Sequence, residues 1–161
     1  MTRSDCVREI MSSIKDDDIV VASTGYISRE VFKYDRDLNF YMMGSMGNAL
    51  SIGIGISLNT DKKVIVINGD GSALMSLGSI FTASRYCPEN LIHIILDNNC
   101  HESTGGQYTH SQLVRFDNMS RPNMTTVLKI KKDNVIPPRI TLTPKQITER
   151  FQNAIRPLCN K

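Results

Sequence analysis

The chain has 161 residues, of which 40% are hydrophobic, and a formal net charge of +3. This length supports one hydrophobic core, so we expect one domain over residues 1–161. The only local basic run, Lys129, Lys131 and Lys132, is too short for a nucleic-acid-binding surface and is typical of a solvated strand end. No apolar run reaches membrane-spanning length, and the cysteines, at positions 6, 87, 100 and 159, form no CxxC pair, so we expect reduced thiols and a cytoplasmic protein without a membrane partner.

The first half of the chain alternates predicted helices and strands. A helical stripe, rather than the unbroken apolar core of a signal peptide, predicts a first helix near the start; it consists of Val7, Ile10, Met11 and Ile14. We predict a buried strand over 19–22, a short helix over 28–33 and a strand over 39–42. Residues 47–58 have helical length, although Gly47, Gly53 and Gly55 cost helix stability unless close packing compensates.

The second half continues the alternation. A β-branched run at 64–67 predicts a central strand covered on both faces, and 91–96 also have strand composition. Between them, apolar residues at helical spacing predict a helix over 72–86; they are Leu74, Leu77 and Phe81. We predict a strand over 125–130, with loops at 119–123 and 133–139. A last helix is predicted to begin after Thr143, because this capping threonine is followed by Pro144 in the first turn and by Gln146 three residues on. The alternation predicts an α/β fold with a mostly parallel sheet and helices on both faces.

Two polar motifs stand where neighbouring predicted strands end. Gly-Asp-Gly-Ser occupies 69–72 and Asp-Asn-Asn occupies 97–99. Parallel neighbours lie about 4.8 Å apart and end at one edge of the sheet, so Asp70 and Asn98 can direct oxygens at one ion. A carboxylate, an amide oxygen and a backbone carbonyl, completed by diphosphate oxygens and water, suit Mg²⁺. Separately each motif is typical of a turn or loop; together they predict a metal and diphosphate site, with Gly71 allowing close approach and the amides opening the helix at Ser72 supplying positive potential.

These motifs resemble the signature of the thiamine-diphosphate-dependent enzymes, in which Gly-Asp-Gly is followed by asparagine somewhat under thirty residues later. The resemblance implies the thiamine-diphosphate-binding fold, with thiamine diphosphate and Mg²⁺ as cofactors. It also implies that Mg²⁺ is bound by the side chains of Asp70 and Asn98 and the backbone carbonyl of Cys100, and that the diphosphate is bound at Gly69, Gly71 and Ser72. A rival dinucleotide loop at 53–55 lacks the third glycine, so helix packing explains those glycines better.

Upstream, Gly-Ser-Met-Gly at 44–47 resembles the segment that holds the aminopyrimidine ring in the same enzymes. The resemblance implies that the Gly44 carbonyl accepts from the 4′-amino group, that Ser45 belongs to the cofactor site, and that Met46 holds the cofactor in its bent, catalytic conformation. The structural alternative for Met46 is a core-filling methionine.

Over residues 23–107, about half of the chain, the resemblance narrows to phosphonopyruvate decarboxylases, through the segments 24–30, 40–47 and 101–107. The related sulfopyruvate decarboxylases share most of this but tend to carry an aromatic residue where His101 stands. The resemblance implies a lyase that converts 3-phosphonopyruvate to phosphonoacetaldehyde and CO₂. His101 would donate a proton or contact the 2-oxoacid, and Arg29 and Ser103 would bind the phosphonate; for His101 and Arg29 a surface or capping role is the alternative.

Two departures from the family pattern affect these expectations. Asn48 stands where the family often has histidine, and only about 17 residues separate position 107 from the strand at 125, where the family has further elements. We therefore expect a fold shortened in its C-terminal part. The glutamate that protonates the pyrimidine belongs to the family's other domain, which implies a separate pyrimidine-binding, α-type subunit and a hetero-oligomer. A sulfopyruvate decarboxylase β subunit and an inactive cofactor-binding remnant remain alternatives.

Overall fold

The structure, a computed structural model, describes residues 1–86 and 89–159, so Cys87 lies outside the described residues. The described helices are α1 (Arg3–Ser12), α2 (Tyr26–Phe32), α3 (Ala49–Ser57), α4 (Asp70–Met75), α5 (Leu77–Tyr86) and α6 (Pro144–Ile155). The described strands are β1 (Ile19–Ala22), β2 (Asn39–Tyr41), β3 (Val64–Gly69), β4 (Leu91–Asp97), β5 (Cys100–His101), β6 (Gln107–Tyr108) and β7 (Thr125–Lys129). None of these helices has the length and apolar character needed to cross a membrane.

Five strands form one parallel sheet in the order β2-β1-β3-β4-β7. The predicted βαβ unit is confirmed, because β3 and β4 pair in parallel with Ile67 opposite Ile94. β3 is central, and Val64 to Asn68 along it are buried, as expected for a strand covered on both faces. β5 and β6 form a separate antiparallel hairpin, which the sequence analysis did not predict.

Alternate side chains of the sheet enter two apolar layers. One layer, which includes Val66 and Ile95, packs against α3, α4 and α5. The other, which includes Ile65 and Ile67, packs against α1 and α2. Full burial of each such side chain stabilises the fold by about 1.5–3 kcal/mol relative to exposure, so the period-2 pattern fixes which face each helix covers.

Local signals in the sequence set the starts of the first and last helices. Thr143 accepts a hydrogen bond from the Gln146 amide at 3.3 Å, and the Gln146 side chain accepts from the Thr143 amide at 2.9 Å, which confirms the predicted capping box. Thr2 and Asp5 form the same arrangement at the start of α1. α6 packs beside the edge strand β2, where Phe151 contacts Phe40 with ring centres 5.2 Å apart.

The predicted helix over 72–86 is wrong in two respects. It begins earlier, at Asp70, and it breaks at Ser76, whose backbone has φ −138° and ψ 49°. The break changes the helical phase, so Phe81 is 54% exposed while Ile80 and Ala83 are buried. The close approach of the 44–47 backbone to this point explains why no local signal marked it: a Cβ at Gly47 would lie 3.1 Å from the Met75 Cβ.

The glycines of α3 behave differently from each other. A Cβ at Gly53 would overlap the Val66 side chain on β3, so close packing requires glycine there, as the sequence analysis expected. Gly55 is exposed and has nothing within 4 Å of its virtual Cβ, so packing does not explain it. The described cysteines, Cys6, Cys100 and Cys159, are free thiols.

Candidate metal and diphosphate site

A cavity of about 80 Å³ lies at the carboxyl edge of the sheet, beyond the ends of β1, β3 and β4. It brings together most of the predicted site residues: Met46, Gly69, Asp70, Gly71, Ser72, Asn98, Cys100, His101 and Ser103. The usual volume of a small-molecule site is about 300–1,000 Å³. This cavity is therefore large enough for a small anionic group and a cation but not for a whole cofactor.

Asp70 is the central charged group of the cavity. Its side chain is buried, the residue being 2% exposed, and its Oδ2 accepts a hydrogen bond from the Thr109 hydroxyl. Burial raises the pKa of the Asp70 carboxyl, the Thr109 bond lowers it, and the nearby negative charge of Asp97 raises it further. Within residues 1–86 and 89–159, Asp70 forms no ion pair. A buried carboxylate without a basic partner is a position at which a cation would be stabilising.

Asp97, at the end of β4, is neutralised by contrast. Its Oδ2 forms an ion pair with the Lys129 ammonium of β7, and its Oδ1 accepts from the Ser111 hydroxyl at 2.7 Å and from the Asn99 amide at 3.0 Å. Lys129 is thus not simply part of a solvated strand end, as the sequence analysis expected, because its ammonium reaches a carboxylate that is 2% exposed. The two carboxylates differ in partners, and Asp70 alone is left for a metal ion.

Asn98 is held by contacts on both sides of its amide. Its Oδ1 accepts from the Cys100 backbone amide at 3.1 Å, and its Nδ2 donates to the Glu102 carboxylate at 3.4 Å. Glu102 in turn pairs with the guanidinium of Arg3, which also lies 3.5 Å from Glu30 and 3.6 Å from Asp133. The Arg3 charge is committed to these carboxylates, so it is not available to bind an anionic substrate.

His101 occupies space that Gly71 leaves open. A Cβ at Gly71 would lie 2.5 Å from His101 Cε1 and 3.1 Å from Thr109 Cγ2. The sequence analysis assigned this open space to a phosphate; in the structure the imidazole ring lies against it. His101 begins the turn between β5 and β6, in which Gly105 and Gly106 have positive φ angles of 116° and 78°.

The 44–47 segment forms a wall between two cavities. Met46 lines the cavity of Asp70 and is 37% exposed, whereas Gly44 and Ser45 line a second, more open cavity together with Asn48 and Pro144. Ser45, with φ 51°, and Gly47, with φ 99°, both have left-handed backbone conformations. The segment therefore places Met46 and Gly44 on opposite sides rather than in one enclosed pocket.

Arg29 does not line the Asp70 cavity. Its guanidinium lies 5.4 Å from the ring centre of Tyr26, which does line it, and Arg3 lies 5.0 Å from the same ring. Arg3, Tyr26, Glu102 and Thr109 were missed by the sequence analysis. Only Tyr26 and Glu102 fell within segments that it had singled out, and no local pattern marks Arg3 or Thr109 as site residues.

The residues present fit a magnesium diphosphate group. The ligand set combines one uncompensated carboxylate with amide and carbonyl oxygens, which Mg²⁺ prefers. The part of the chain that the structure describes contains no group of three or more His, Cys, Asp or Glu residues able to hold a metal ion.

Most residues of the cavity lie within a region that matches a known protein family. Residues 23–157 match the family described as "Thiamine pyrophosphate enzyme, C-terminal TPP binding domain". The chain belongs to this family. The match includes Asp70, Asn98 and the 44–47 segment, so the family expectation drawn from the two motifs is confirmed.

Similar proteins fall into two named groups. The phosphonopyruvate decarboxylase of Streptomyces viridochromogenes is 46% identical over 114 residues, covering 70% of this chain and 29% of that enzyme. The sulfopyruvate decarboxylase subunit beta of Methanococcus maripaludis is 36% identical over 183 aligned positions, covering 97% of this chain and 98% of that subunit. The corresponding subunit of Methanocaldococcus jannaschii is 47% identical over 110 residues, covering 68% of this chain and 58% of that subunit.

These coverages describe the size of the chain relative to its relatives. The chain spans less than a third of the Streptomyces enzymes that it matches. The alignment with the M. maripaludis subunit has more positions than this chain has residues, so it includes positions that this chain lacks. Among solved structures, an enzyme from Mycobacterium smegmatis described as thiamin diphosphate-dependent matches with TM-score 0.56 and 20% identity, covering 82% of this chain and 32% of that one, which supports the fold.

Proposed function

We propose that the chain is the diphosphate-binding subunit of a thiamine-diphosphate-dependent 2-oxoacid decarboxylase that converts 3-phosphonopyruvate to phosphonoacetaldehyde and CO₂. The observation that carries the proposal is Asp70, a buried carboxylate that has no basic partner within residues 1–86 and 89–159 and that shares one cavity with Asn98, Cys100 and Met46. Family membership over residues 23–157 supports thiamine diphosphate as the cofactor of that site.

The metal and diphosphate would be bound at the ends of β3 and β4. Asp70, the Asn98 amide oxygen and the Cys100 backbone carbonyl are the proposed Mg²⁺ ligands. Gly69 and Gly71 are the proposed diphosphate contacts, although the His101 ring fills the space beside Gly71, so the diphosphate would have to reach Gly71 from another side. Asn98 already accepts from the Cys100 amide, so its oxygen faces the turn that carries the third ligand. The hydrogen bond from Asn98 to Glu102 would hold the amide in that orientation, as partners of metal ligands commonly do.

The 44–47 segment would bind the pyrimidine end. Its Gly44 carbonyl would accept a hydrogen bond from the ring's amino group, Ser45 would border the ring, and the Met46 side chain would keep the bound cofactor bent. Thiamine diphosphate supplies the electron sink for decarboxylation when it is bound. The protein's contribution is orientation, and the left-handed backbone at Ser45 and Gly47 is what directs Met46 into the Asp70 cavity.

The substrate would lie beside the β5–β6 turn. His101 and Ser103 line the cavity and are the proposed contacts, with His101 able to donate a proton to the reacting 2-oxoacid. Arg29 is the proposed partner of the phosphonate. It lies against the Tyr26 ring and does not line the cavity, so the phosphonate would reach it from outside the cavity. A phosphonate carries close to two negative charges near neutral pH and a sulfonate one, so donors at this end favour the phosphonate.

A partner subunit would complete the site. The cavity of about 80 Å³ leaves most of the cofactor outside it, and the proposed partner is a pyrimidine-binding, α-type chain in a cytoplasmic hetero-oligomer. The alignment with this chain covers 98% of the M. maripaludis subunit named beta, which supports an enzyme made of two kinds of subunit.

Sulfopyruvate decarboxylation is the second candidate function. The coverage of 98% of the M. maripaludis subunit favours it. Identity does not separate the two, being 46% with the Streptomyces enzyme and 47% with the M. jannaschii subunit, and His101 is the residue that favours phosphonopyruvate. An inactive cofactor-binding remnant is the third, suggested by the positions that this chain lacks.

Co-expression with a candidate pyrimidine-binding subunit tests the proposal. The purified complex should release CO₂ from phosphonopyruvate only when thiamine diphosphate and Mg²⁺ are present, and this chain by itself should release none. Turnover by this chain alone would refute the divided site. A complex that forms and binds cofactor without releasing CO₂ from either 2-oxoacid would favour the remnant.

A further inference from the structure

A row of buried polar side chains crosses the sheet face that α3, α4 and α5 cover. His93 on β4 has its Nδ1 atom 3.3 Å from the Thr125 Oγ1 of β7 and its Nε2 atom 3.0 Å from the Asn68 Nδ2 of β3. The Asn68 Oδ1 atom accepts a hydrogen bond from the Ser72 hydroxyl at 3.1 Å. Asn68, Ser72 and His93 are each 2% exposed or less, and the proposed function gives this row no task.

The donor and acceptor of each hydrogen bond along this row can be assigned. Burial lowers the pKa of His93 to about 3, so its ring is neutral near neutral pH, with one nitrogen donating and the other accepting. The Asn68 Nδ2 atom faces Nε2, and an amide nitrogen can only donate, so the tautomer that fits this arrangement carries its hydrogen on Nδ1 and donates it to Thr125. The Asn68 oxygen therefore faces Ser72 and fixes where the Ser72 hydrogen points.

The Ser72 hydroxyl uses its full capacity within this row. A hydroxyl has one hydrogen to donate and two lone pairs that accept. The Ser72 hydrogen is donated to Asn68, and its oxygen accepts from the Ser23 hydroxyl at 2.9 Å and from the Gly47 backbone amide at 3.1 Å. No hydrogen remains for a diphosphate oxygen.

The Gly47 amide belongs to the part of the site that most needs support. Ser45 and Gly47, on either side of Met46, have left-handed backbone conformations, with φ 51° and 99°. Glycine adopts such a conformation readily, but a serine keeps it only where surrounding contacts determine it. The bond to Ser72 ties this segment to α4, against which a Cβ at Gly47 would already be in tight contact with Met75.

We infer that the Ser72 hydroxyl is a positioning group for the 44–47 segment, directed by Asn68 and His93, and that it is not a ligand of the diphosphate. The inference rests on the proposed function for the identity of the cofactor. It reassigns the Ser72 side chain and leaves Gly69 and Gly71 as the proposed diphosphate contacts. It also assigns a role to His93, which does not line the cavity but determines the Asn68 orientation.

Nuclear magnetic resonance of the full chain without ligand tests the geometry. Nitrogen shifts of ¹⁵N-labelled histidine should identify His93 as the Nδ1–H tautomer. The Ser72→Ala variant should exchange its Gly47 amide hydrogen about tenfold faster, as expected from loss of one hydrogen bond of about 1.4 kcal/mol. The matched control is Ser57→Ala, a buried serine whose hydroxyl donates to the Ile54 carbonyl of its own helix, and it should leave Gly47 exchange unchanged.

An Nε2–H tautomer would overturn the inference, because Asn68 would then turn its amide toward Ser72 and release the Ser72 hydrogen. Unchanged Gly47 exchange in Ser72→Ala would overturn it as well. The tautomer is measured on the unsubstituted protein, so it decides the question even when the variant does not fold.

Calorimetry with Mg²⁺ separates positioning from direct binding. Ser72→Ala should bind inorganic diphosphate within about twofold of the unsubstituted chain, and its affinity for thiamine diphosphate should fall by a larger factor. A loss of about tenfold or more for inorganic diphosphate, or equal losses for both ligands, would show that the hydroxyl binds the diphosphate. Failure of the unsubstituted chain to bind inorganic diphosphate would contradict the proposed function, and the tautomer and exchange results would still decide the role of Ser72.

Discussion

At the scale of single residues, the site depends on one charge that the protein leaves unbalanced. Asp70 is as buried as Asp97, yet among the described residues Asp97 has Lys129 while Asp70 has only the Thr109 hydroxyl as a side-chain donor. Burying an ionised carboxylate without a partner is costly, so the metal-free protein keeps a destabilising group at the place where a cation would relieve it. This asymmetry leads to two predictions about Asp70.

The first concerns ligand binding. Asp70→Ala should abolish Mg²⁺-dependent binding of thiamine diphosphate, because it removes the only anionic side chain proposed as a metal ligand. Asn98→Ala should weaken binding less, since it removes a neutral ligand. Calorimetry with and without Mg²⁺ measures both, and the exposed Asp117→Ala is the control. Unchanged affinity in Asp70→Ala would mean that the metal lies elsewhere.

The second concerns pH. Burial raises the pKa of Asp70 in the folded state above its ordinary value, so this carboxyl stabilises the fold below pH about 3.8 and that stabilisation is lost as pH rises through the folded-state pKa. Without metal, Asp70→Asn should therefore become more stable relative to the unsubstituted chain as pH rises toward neutrality. The free energy of unfolding, measured by denaturant between pH 4 and 7, gives the comparison.

Asp117→Asn is a control whose free energy of unfolding should change with pH in the opposite direction. The Arg115 hydrogen bond lowers the pKa of Asp117, so its ionised form stabilises the fold and the substitution should remove that contribution as pH rises. Added Mg²⁺ and inorganic diphosphate should reverse the advantage of Asp70→Asn, because only the carboxylate binds the metal. An Asp70→Asn advantage that is the same at every pH would contradict the assignment.

The sequence predicted those site residues whose polar side chains directly follow a buried strand. Asp70 and Asn98 stand directly after buried strands, so the parallel sheet brings them to one cavity. Arg3 and Thr109 were missed because their roles come from contacts 99 and 39 positions away along the chain, with Glu102 and Asp70. No spacing pattern encodes a contact of that range.

At the scale of elements, α3 offers a test of why glycine occurs in a helix. Gly53 faces Val66 with no room for a methyl group, while Gly55 is exposed with nothing within 4 Å. Gly53→Ala should lower the free energy of unfolding by about 1–3 kcal/mol through overpacking. Gly55→Ala should raise it by about 0.5–1 kcal/mol, because alanine favours the helix. Denaturant unfolding of both variants makes each the control of the other, and equal effects would contradict the packing explanation.

Element boundaries were predictable where the signal is local. The capping boxes of α1 and α6 and the β-branched run of β3 act through neighbours in sequence, and the capping threonine, Thr143, was predicted for this reason. The break at Ser76 and the β5–β6 hairpin were not predictable in that way. The first coincides with the packing of Gly47 on Met75 and the second pairs only two residues from each strand, so both depend on tertiary contacts.

At the scale of the whole molecule, the proposed partner subunit would cover the ligand-binding edge of this chain. The cavity holds a small group only, and Met43, Met46 and Met75 are between 37% and 63% exposed. We expect the assembled enzyme to prefer phosphonopyruvate over sulfopyruvate. Arg29→Ala should lower kcat/KM for phosphonopyruvate by about 2 kcal/mol or more in transition-state free energy and change it less for pyruvate, which has no phosphonate.

Competition between the two 2-oxoacids, with the complex at limiting enzyme, measures the preference directly. A preference for sulfopyruvate would move the chain to the second candidate function while leaving the cofactor site as proposed. An Arg29→Ala effect of equal size on phosphonopyruvate and pyruvate would assign Arg29 to packing against Tyr26 instead.

The Arg3 contacts also set an order in time for a chain emerging from the ribosome. Arg3 is made before its partners, which include Glu102, Asp133 and the Val135 carbonyl. At about 5–20 residues per second, synthesis from the first of these residues to the last takes on the order of 10 s. Throughout that interval α1 cannot complete the contacts of its buried Arg3 side chain, so a nascent chain that stops before residue 135 leaves Arg3 without its full set of partners.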